Sequence, residues 1–335
     1  MMLQNKKVKI GCDIGSYSIK WLEGFQKNNT FKILSYFEVP IPYHTIVDGH
    51  IRDFAAIARG FKEIFKTTSR KNNVSIAIQG SRATLKKITT PIFKQQELPW
   101  CLQWEAEQYM PWFSEDSVID SVQLNETQTL IAGSLKKSVH IYTQFMEDLD
   151  ITLDRVETPP LSLEKVWKLN YPQDEKKTVA LFSFGAQQSG LTLFQNQNFY
   201  GFRPIFIKGE DLTLSIQKKI KLNYSEAEHL KLGNLREAPA EVKEDIEQFL
   251  EQVAFESKKA MRFFLSQDPS LSLDEIYVTG GVSAMNQLRP ALEEFLGAHI
   301  KMFNPFQNVI FGKNCNKDKM IKNSFQLPVA LGLAM

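Results

Sequence analysis

Apolar residues in the first part of the chain fall at alternate positions, in short runs separated by glycine, proline and small polar residues. This is the pattern of strands joined by tight turns. Val8 and Ile10 alternate with charged or small residues, which predicts the end of a half-buried strand that breaks at Asp13-Ile14-Gly15-Ser16. The alternation resumes from Ser18 to Phe25, with Ile19, Trp21 and Phe25 on one face and Ser18, Lys20 and Leu22 on the other. Strand, polar turn and strand make a hairpin. A third strand is predicted over residues 31–39, stopped by Pro40-Ile41-Pro42. Phe54, Ile57, Phe61, Ile64 and Phe65 recur at helical spacing over 53–66, and Val74, Ile76 and Ile78 form a strand that closes at Gly80.

The texture changes after Gly80. Residues 84–90 read as a strand, 95–109 as a helix ended by Met110-Pro111-Trp112, and 138–148 as another helix. Further strands are predicted around 119–124, 129–132 and 155–158. Trp100, Trp104, Tyr109, Trp112 and Phe113 form an aromatic cluster whose ordinary role is packing. The opening motif then returns in outline about 170 residues further on. Val179, Leu181 and Ser183 alternate, residues 184–190 (FGAQQSG) turn, and Leu191, Leu193 and Phe194 resume a strand. Helices are predicted over 211–221, from Ser225 with Ser225 and Glu228 at capping-box spacing, and over 241–264. A strand at 275–279 ends in Gly280-Gly281, followed by a helix with Met285, Leu288, Leu292 and Phe295 on one face. The apolar ending, 327–335, is expected to tuck into the core.

At 335 residues the chain can hold two lobes, and 43% hydrophobic with 23% charged residues is ordinary globular composition. Forty basic against 38 acidic residues speak against a nucleic-acid binder, which would carry a basic excess or stripe. Cys12, Cys101 and Cys315 lie far apart and in no metal-ligand spacing, which fits a reducing cytoplasm, with Cys12 as a core residue. Residues 1–10 lack the apolar stretch of a signal peptide. The long charge-free run 178–202 is too rich in amide side chains to face lipid.

The first hairpin carries the candidate chemistry. A tip of Gly15, Ser16, Tyr17 and Ser18 can offer backbone N–H groups to an anion, because Gly15 and Ser16 let a ligand approach the backbone. Asp13 is placed to hold a hydrated Mg²⁺ against bound phosphates, and Lys20 adds positive charge, although the periodicity sets it a few residues from the tip. Asp-x-Gly-Ser is also ordinary turn chemistry. The duplicate tip, Gly185, Ala186, Gln187 and Gln188, and the Gly280-Gly281 turn complete a set of three turns suited to a nucleotide.

These motifs resemble the actin-like ATPase superfamily and, within it, the PilM family of type IV pilus assembly proteins. GCDIGSYSIKWLEG is similar to the family's first phosphate motif; QWEAEQYMPW, LDRVETPPLSL, YSEAEHLK, KKAMRFFLSQ…IYVTGG and the final ALGLAM are similar to later segments in the same order. The resemblance implies an α/β actin-like ATPase fold: two lobes with duplicated ribonuclease-H-like cores and an inserted FtsA-like small subdomain. The first lobe would comprise 1–80 and 151–175, the insertion 81–150, and the second lobe 176–335. It implies ATP with Mg²⁺ between the lobes, held by Asp13 and the two hairpin tips, with Gly209 nearby. Gly280, Gly281, Glu228 and Lys231 would contact the adenosine, although Glu228 also reads as a helix cap. It further implies a cytoplasmic protein peripheral to the inner membrane. Its partner would be the cytoplasmic tail of a PilN-like protein of the PilN/PilO alignment complex. That tail would lie in a groove between the first lobe and the insertion, with Glu105 and Tyr109 as candidate contacts; self-association is left open.

The chain departs from the superfamily where Ser183 replaces the second hairpin's aspartate, where Gln187 and Gln188 replace small hydroxyl residues, and where Gly209 follows Lys208. A hydroxyl is a poor Mg²⁺ partner and no general base, so slow or absent hydrolysis is expected. Three readings stay open: a nucleotide-gated adaptor, a pseudo-ATPase scaffold with the same partner, and a small-molecule kinase of the same fold, which lacks a carboxylate base in that hairpin.

Overall fold

The computed structural model describes residues 7–78, 83–89, 116–233, 238–313 and 315–335. The aromatic cluster, the 95–109 helix and Gly80 lie outside them. In chain order the strands and helices are β1 (Lys9–Ile14), β2 (Ser18–Lys27), β3 (Thr30–Pro40), β4 (Ile46–Val47), β5 (His50–Ile51), α1 (Phe54–Phe65), β6 (Asn72–Ala77), β7 (Ala83–Thr89), β8 (Ser117–Asn125), β9 (Gln128–Leu135), α2 (Lys136–Asp148), β10 (Thr152–Glu157) and α3 (Pro159–Asn170). There follow β11 (Thr178–Phe184), β12 (Ser189–Gln195), β13 (Asn198–Ile205), α4 (Gly209–Ile220), α5 (Tyr224–Leu232), α6 (Ala240–Gln267), β14 (Glu275–Thr279), α7 (Leu288–Leu296), β15 (Ile300–Met302), β16 (Val309–Phe311), α8 (Lys317–Lys322) and α9 (Pro328–Leu333).

Two sheets repeat one topology. The first runs β10-β6-β1-β2-β3-β16 and the second β13-β12-β11-β14-β15. In each, an antiparallel meander continues into two parallel strands, β6 and β10 or β14 and β15. Both expected hairpins form, with Ile14 paired to Ile19 and Phe184 to Ser189 at their tips. The first strands are central rather than half-buried: Ile10, Cys12, Ile19, Trp21 and Leu22 are all fully buried, because both faces of the sheet are covered. One face packs on α1 and α2, where Trp21 meets Phe61 and Phe65 edge to face. Asp53 caps α1, its Oδ1 accepting from the Ala56 amide at 2.8 Å.

The other face meets a layer shared by both sheets. Leu22, Phe31 and Ile33 of the first sheet and Val179, Leu181 and Phe194 of the second pack on Leu163, Val166 and Trp167 of α3 and on Leu327, Ala330 and Leu331 in and beside α9. The second sheet's outer face is covered by α4, α6 and α7. Three placements run across the order of the chain. Strand β16 leaves the second half to pair in parallel with β3, α9 lies between the sheets, and α2 packs in the first sheet's core through Tyr142, Phe145 and Met146. The strands β7, β9 and β8 form a separate small sheet. Their apolar residues are shared out by tertiary packing, which chain order does not encode.

Two glycines permit the central layer. A Cβ on Gly11 would lie 1.9 Å from the Ala330 carbonyl oxygen, and one on Gly332 would lie 2.0 Å from that of Ser162. Both obstacles are backbone, so neither can rotate away. Gly11→Ala is therefore expected to cost about 3 kcal/mol or more of stability. Gly281→Ala, whose Cβ meets nothing within 4 Å, should stay within about 0.5 kcal/mol of the parent. Urea unfolding of the two variants checks this; equal stabilities would contradict the packing.

Candidate functional site

The two hairpin tips share one turn geometry. The Gly15 amide donates to the Ser18 carbonyl at 3.1 Å, and the Gly185 amide donates to the Gln188 carbonyl at 2.9 Å. The amides of Ser16, Tyr17, Ala186 and Gln187 make no hydrogen bond to backbone among the described residues. Each tip thus keeps the donors that a phosphate would need. Around the first tip, Asp13 is opposite Lys20 across the β1–β2 ladder, with Oδ2 and Nζ 3.5 Å apart and both side chains 8% exposed. Lys20 thus reaches back to the tip after all: its Nζ is 3.4 Å from where a Gly15 Cβ would sit. Ser18 turns away, its hydroxyl donating to Glu38 Oε1 at 3.0 Å. Burial pushes the Tyr17 phenol up, and the carboxylates of Glu228 and Glu38 add to the effect.

The second tip is built against two other glycine turns. The Gly209 and Glu210 amides at the start of α4 donate to the Gly185 and Ala186 carbonyls at 3.0 and 2.9 Å. A Cβ on Gly209 would collide with Val282 at 2.3 Å, and one on Gly280, whose φ is +91°, with the Phe184 carbonyl at 2.3 Å. Gly185, Gly209 and Gly280 therefore allow backbone to touch backbone, and Gly281 faces open space. The glycine pair opens a single 3₁₀ turn, Gly281–Ala284, and α7 begins only at Leu288. The expected helix N-terminus at the glycines is therefore absent. Phe295, expected on the buried face, is 39% exposed, whereas Met285, Leu288 and Leu292 are buried.

Two expected adenosine contacts turn inward. Lys231 Nζ, on a side chain 2% exposed, donates to the Gly209 carbonyl (3.1 Å), Thr213 Oγ1 (2.9 Å) and Glu228 Oε2 (2.6 Å). It braces the first turn of α4 from behind. The capping box of α5 belongs to Asn223 and Glu226 rather than Ser225 and Glu228, because α5 starts two residues earlier than the spacing implied; Glu228 instead accepts from Lys231 and Thr213. Ser183 Oγ donates to the Gly190 carbonyl at 3.3 Å, at the register position that Asp13 holds in the first sheet. Asp13 offers a carboxylate beside the first tip, and among the described residues no group of three or more acidic, histidine or cysteine side chains could hold a metal by itself. Cys12, fully buried, has its thiol pushed well up by burial, as a core residue should. Glu105 and Tyr109 lie outside the described residues.

One part of the site was missed in the sequence. Ile46–Ile51 forms a short hairpin, β4–β5, whose turn residues Asp48 and Gly49 have φ of +50° and +77°. The Asp48 amide donates to Gln187 Oε1 at 3.2 Å, and Lys208 Nζ to Asp48 Oδ1 at 2.7 Å. The Asp-Gly pair between apolar residues was the available signal.

Residues 11–335 match the family model described as type IV pilus assembly protein PilM. The chain belongs to the PilM family. Its structure is similar to that of a PilM–PilN type IV pilus biogenesis complex, with a TM-score of 0.86, 22% identity and 97% of each chain covered. Ethanolamine utilization protein EutJ from Carboxydothermus hydrogenoformans matches with a TM-score of 0.59 at 12% identity, covering 98% of this chain and 89% of that one. MreB 5 of Spiroplasma citri, solved with AMPPNP bound, matches with a TM-score of 0.52 at 12% identity over 97% and 94%. The fold is thus the expected two-lobed actin-like one. Among the described residues no helix is long and apolar enough to cross a membrane.

Glu210, 3% exposed, accepts from Gln187 Nε2 and from the Tyr224 hydroxyl, yet burial still raises its carboxyl above the ordinary 4.5. The folded protein therefore holds this proton more tightly than the unfolded chain does. Its contribution to stability is complete below 4.5 and is lost as pH rises through the raised folded value. Glu210→Gln should accordingly gain on the parent as pH goes from about 4.5 to neutral. Thermal unfolding across that range tests it; a difference independent of pH would refute the assignment.

Proposed function

We propose that this chain is an actin-like adaptor of a type IV pilus inner-membrane assembly platform, cytoplasmic and held at the membrane through its partner. In this reading it binds nucleotide between its hairpins and the cytoplasmic N-terminal tail of a PilN-like protein, itself part of a PilN/PilO complex, in a groove of the first lobe. Family membership supports the setting, and one observation carries the groove. A cavity of about 90 Å³ opens between the β4–β5 hairpin, the start of α1 and the helix α2, walled by His50, Ile51, Phe54, Ile141 and Tyr142. It has room for a side chain and none for a nucleotide. Ser138 Oγ, on its wall, is buried with no hydrogen-bond partner among the described residues, a group that a peptide's backbone could satisfy.

The nucleotide would lie with its phosphates on the free amides of the two tips, its Mg²⁺ beside Asp13 and its base towards Gly281. Mg²⁺ would supply charge neutralisation there. Lys20 would hold the Asp13 carboxylate in place, and Lys231 would fix the Gly209 turn. Asp48 and Gly49 wall the cavity, and Asp48 also touches the second tip, so closure of the lobes would act on the groove. The scaffold reading, with the same partner and no nucleotide dependence, is favoured by one observation. Ser183 offers neither metal ligand nor base, and its hydroxyl is spent on Gly190.

A synthetic PilN-like tail peptide should bind the full chain in calorimetry, and Tyr142→Ala should weaken it at least tenfold. No binding to the parent would overturn the adaptor reading. Mg-ATP at a hundredfold excess over its Kd should stabilise the fold by about 2.7 kcal/mol. No thermal shift at millimolar Mg-ATP would leave the scaffold reading. Phosphate release by the parent should stay at background and rise in Ser183→Asp; a parent that hydrolyses ATP at the rate of that variant would show that Ser183 is not the cause.

A further inference from the structure

Beyond the fixed layer of α3 and α9, the lobes meet directly at the mouth of the cleft. The Asp48 amide of the first lobe donates to Gln187 Oε1 of the second at 3.2 Å. The other end of that carboxamide, Nε2, donates to Glu210, so both ends of a side chain 7% exposed are engaged. Lys208 Nζ donates to Asp48 Oδ1 at 2.7 Å, and the Tyr43 ring stacks on Tyr224, with centroids 5.4 Å apart and planes at 15°. On its own side the turn is anchored by the Tyr142 hydroxyl, which donates to the Gly49 carbonyl at 3.1 Å.

We infer that the Asp48–Gly49 turn and the Gln187 side chain form a clasp that holds the two lobes together without nucleotide. The Lys208–Asp48 pair is largely exposed and adds little by itself. The weight falls on Gln187. Its Oε1 accepts from the Asp48 amide of the opposite lobe while Glu210 of its own lobe holds its Nε2, so the carboxamide is fixed in the bridging position and parting the lobes costs the Asp48–Gln187 hydrogen bond. A small hydroxyl residue at this position would be too short to bridge them. The long side chain of Gln187 therefore has a purpose in this chain: it bridges the lobes from protein groups alone.

The inference rests on the reading that the cleft between the hairpins is the nucleotide site, and it is tested by interlobe distance. Spin labels at Lys62→Cys on α1 and Glu247→Cys on α6, both exposed positions, are placed in the full chain with Cys101 and Cys315 replaced by serine. Pulsed electron paramagnetic resonance without nucleotide should give one narrow distribution. Gln187→Ala combined with Lys208→Ala should give a longer distribution, at least twofold broader. Gln187→Glu keeps the side chain's size but sets a carboxylate against Glu210, and should open the lobes likewise at neutral pH. Thermal unfolding confirms that each variant is folded. Should the first fail to fold, the second decides alone. A parent distribution that narrows only on adding Mg-ATP, or folded variants with the parent's distribution, would overturn the clasp. The measurement uses no tail peptide, so its failure leaves the partner assignment standing. Loss of the Mg-ATP thermal shift in the parent would strike the nucleotide reading without moving the apo distances.

Discussion

The structure depends on how closely two helices can be wedged between two sheets. The helices α3 and α9 fill the layer that both sheets face, and Gly11 and Gly332 let their backbones approach where any side chain would collide with a carbonyl. Trp167 stacks at the centre on Tyr171 and Phe194, linking the helix layer to the second sheet. Because the sheets share one topology and one layer, β1–β2 and β11–β12 hold equivalent places in the two sheets, and the first lobe's Asp48 turn reaches the second tip. The cross-lobe contacts of Asp48 with Gln187 and Tyr43 with Tyr224 are the direct consequence.

Within that frame the two tips are alike in backbone and unlike in charge. Asp13 faces Lys20 across its ladder, whereas Ser183 faces Gly190. The first lobe therefore carries both the carboxylate and its counter-charge, and the second contributes amides and glycine turns. Of its own ionic groups, Lys231 and Glu210 are buried and Glu228 half-buried, and all three are hydrogen-bonded. Both tips keep amides without a backbone partner among the described residues.

The pairing of Lys231 and Glu228 shows what a local pattern leaves open. Both lie on α5, and they meet each other and Thr213 of α4. The same holds for the Gly280-Gly281 pair, where the left-handed φ of Gly280 sends the chain into a 3₁₀ turn before any α-helix can start.

By itself the sequence determined what depends on neighbours a few residues apart. Alternation and turn chemistry gave both hairpins, helical periodicity gave α1 and α6, and the recurrence of strand–glycine turn–strand gave the duplicated, two-lobed design. The departures at Ser183 and Gln187 were also visible there as residue types. Tertiary structure alone decided where each buried face goes. It put α9 between the sheets and β16 beside β3, packed α2 on the first core, and carried the Asp48 turn across to Gln187, some 139 residues away in the chain. Such pairings depend on how two sheets settle on one helix layer. That is a property of the assembled volume, and no local periodicity records it.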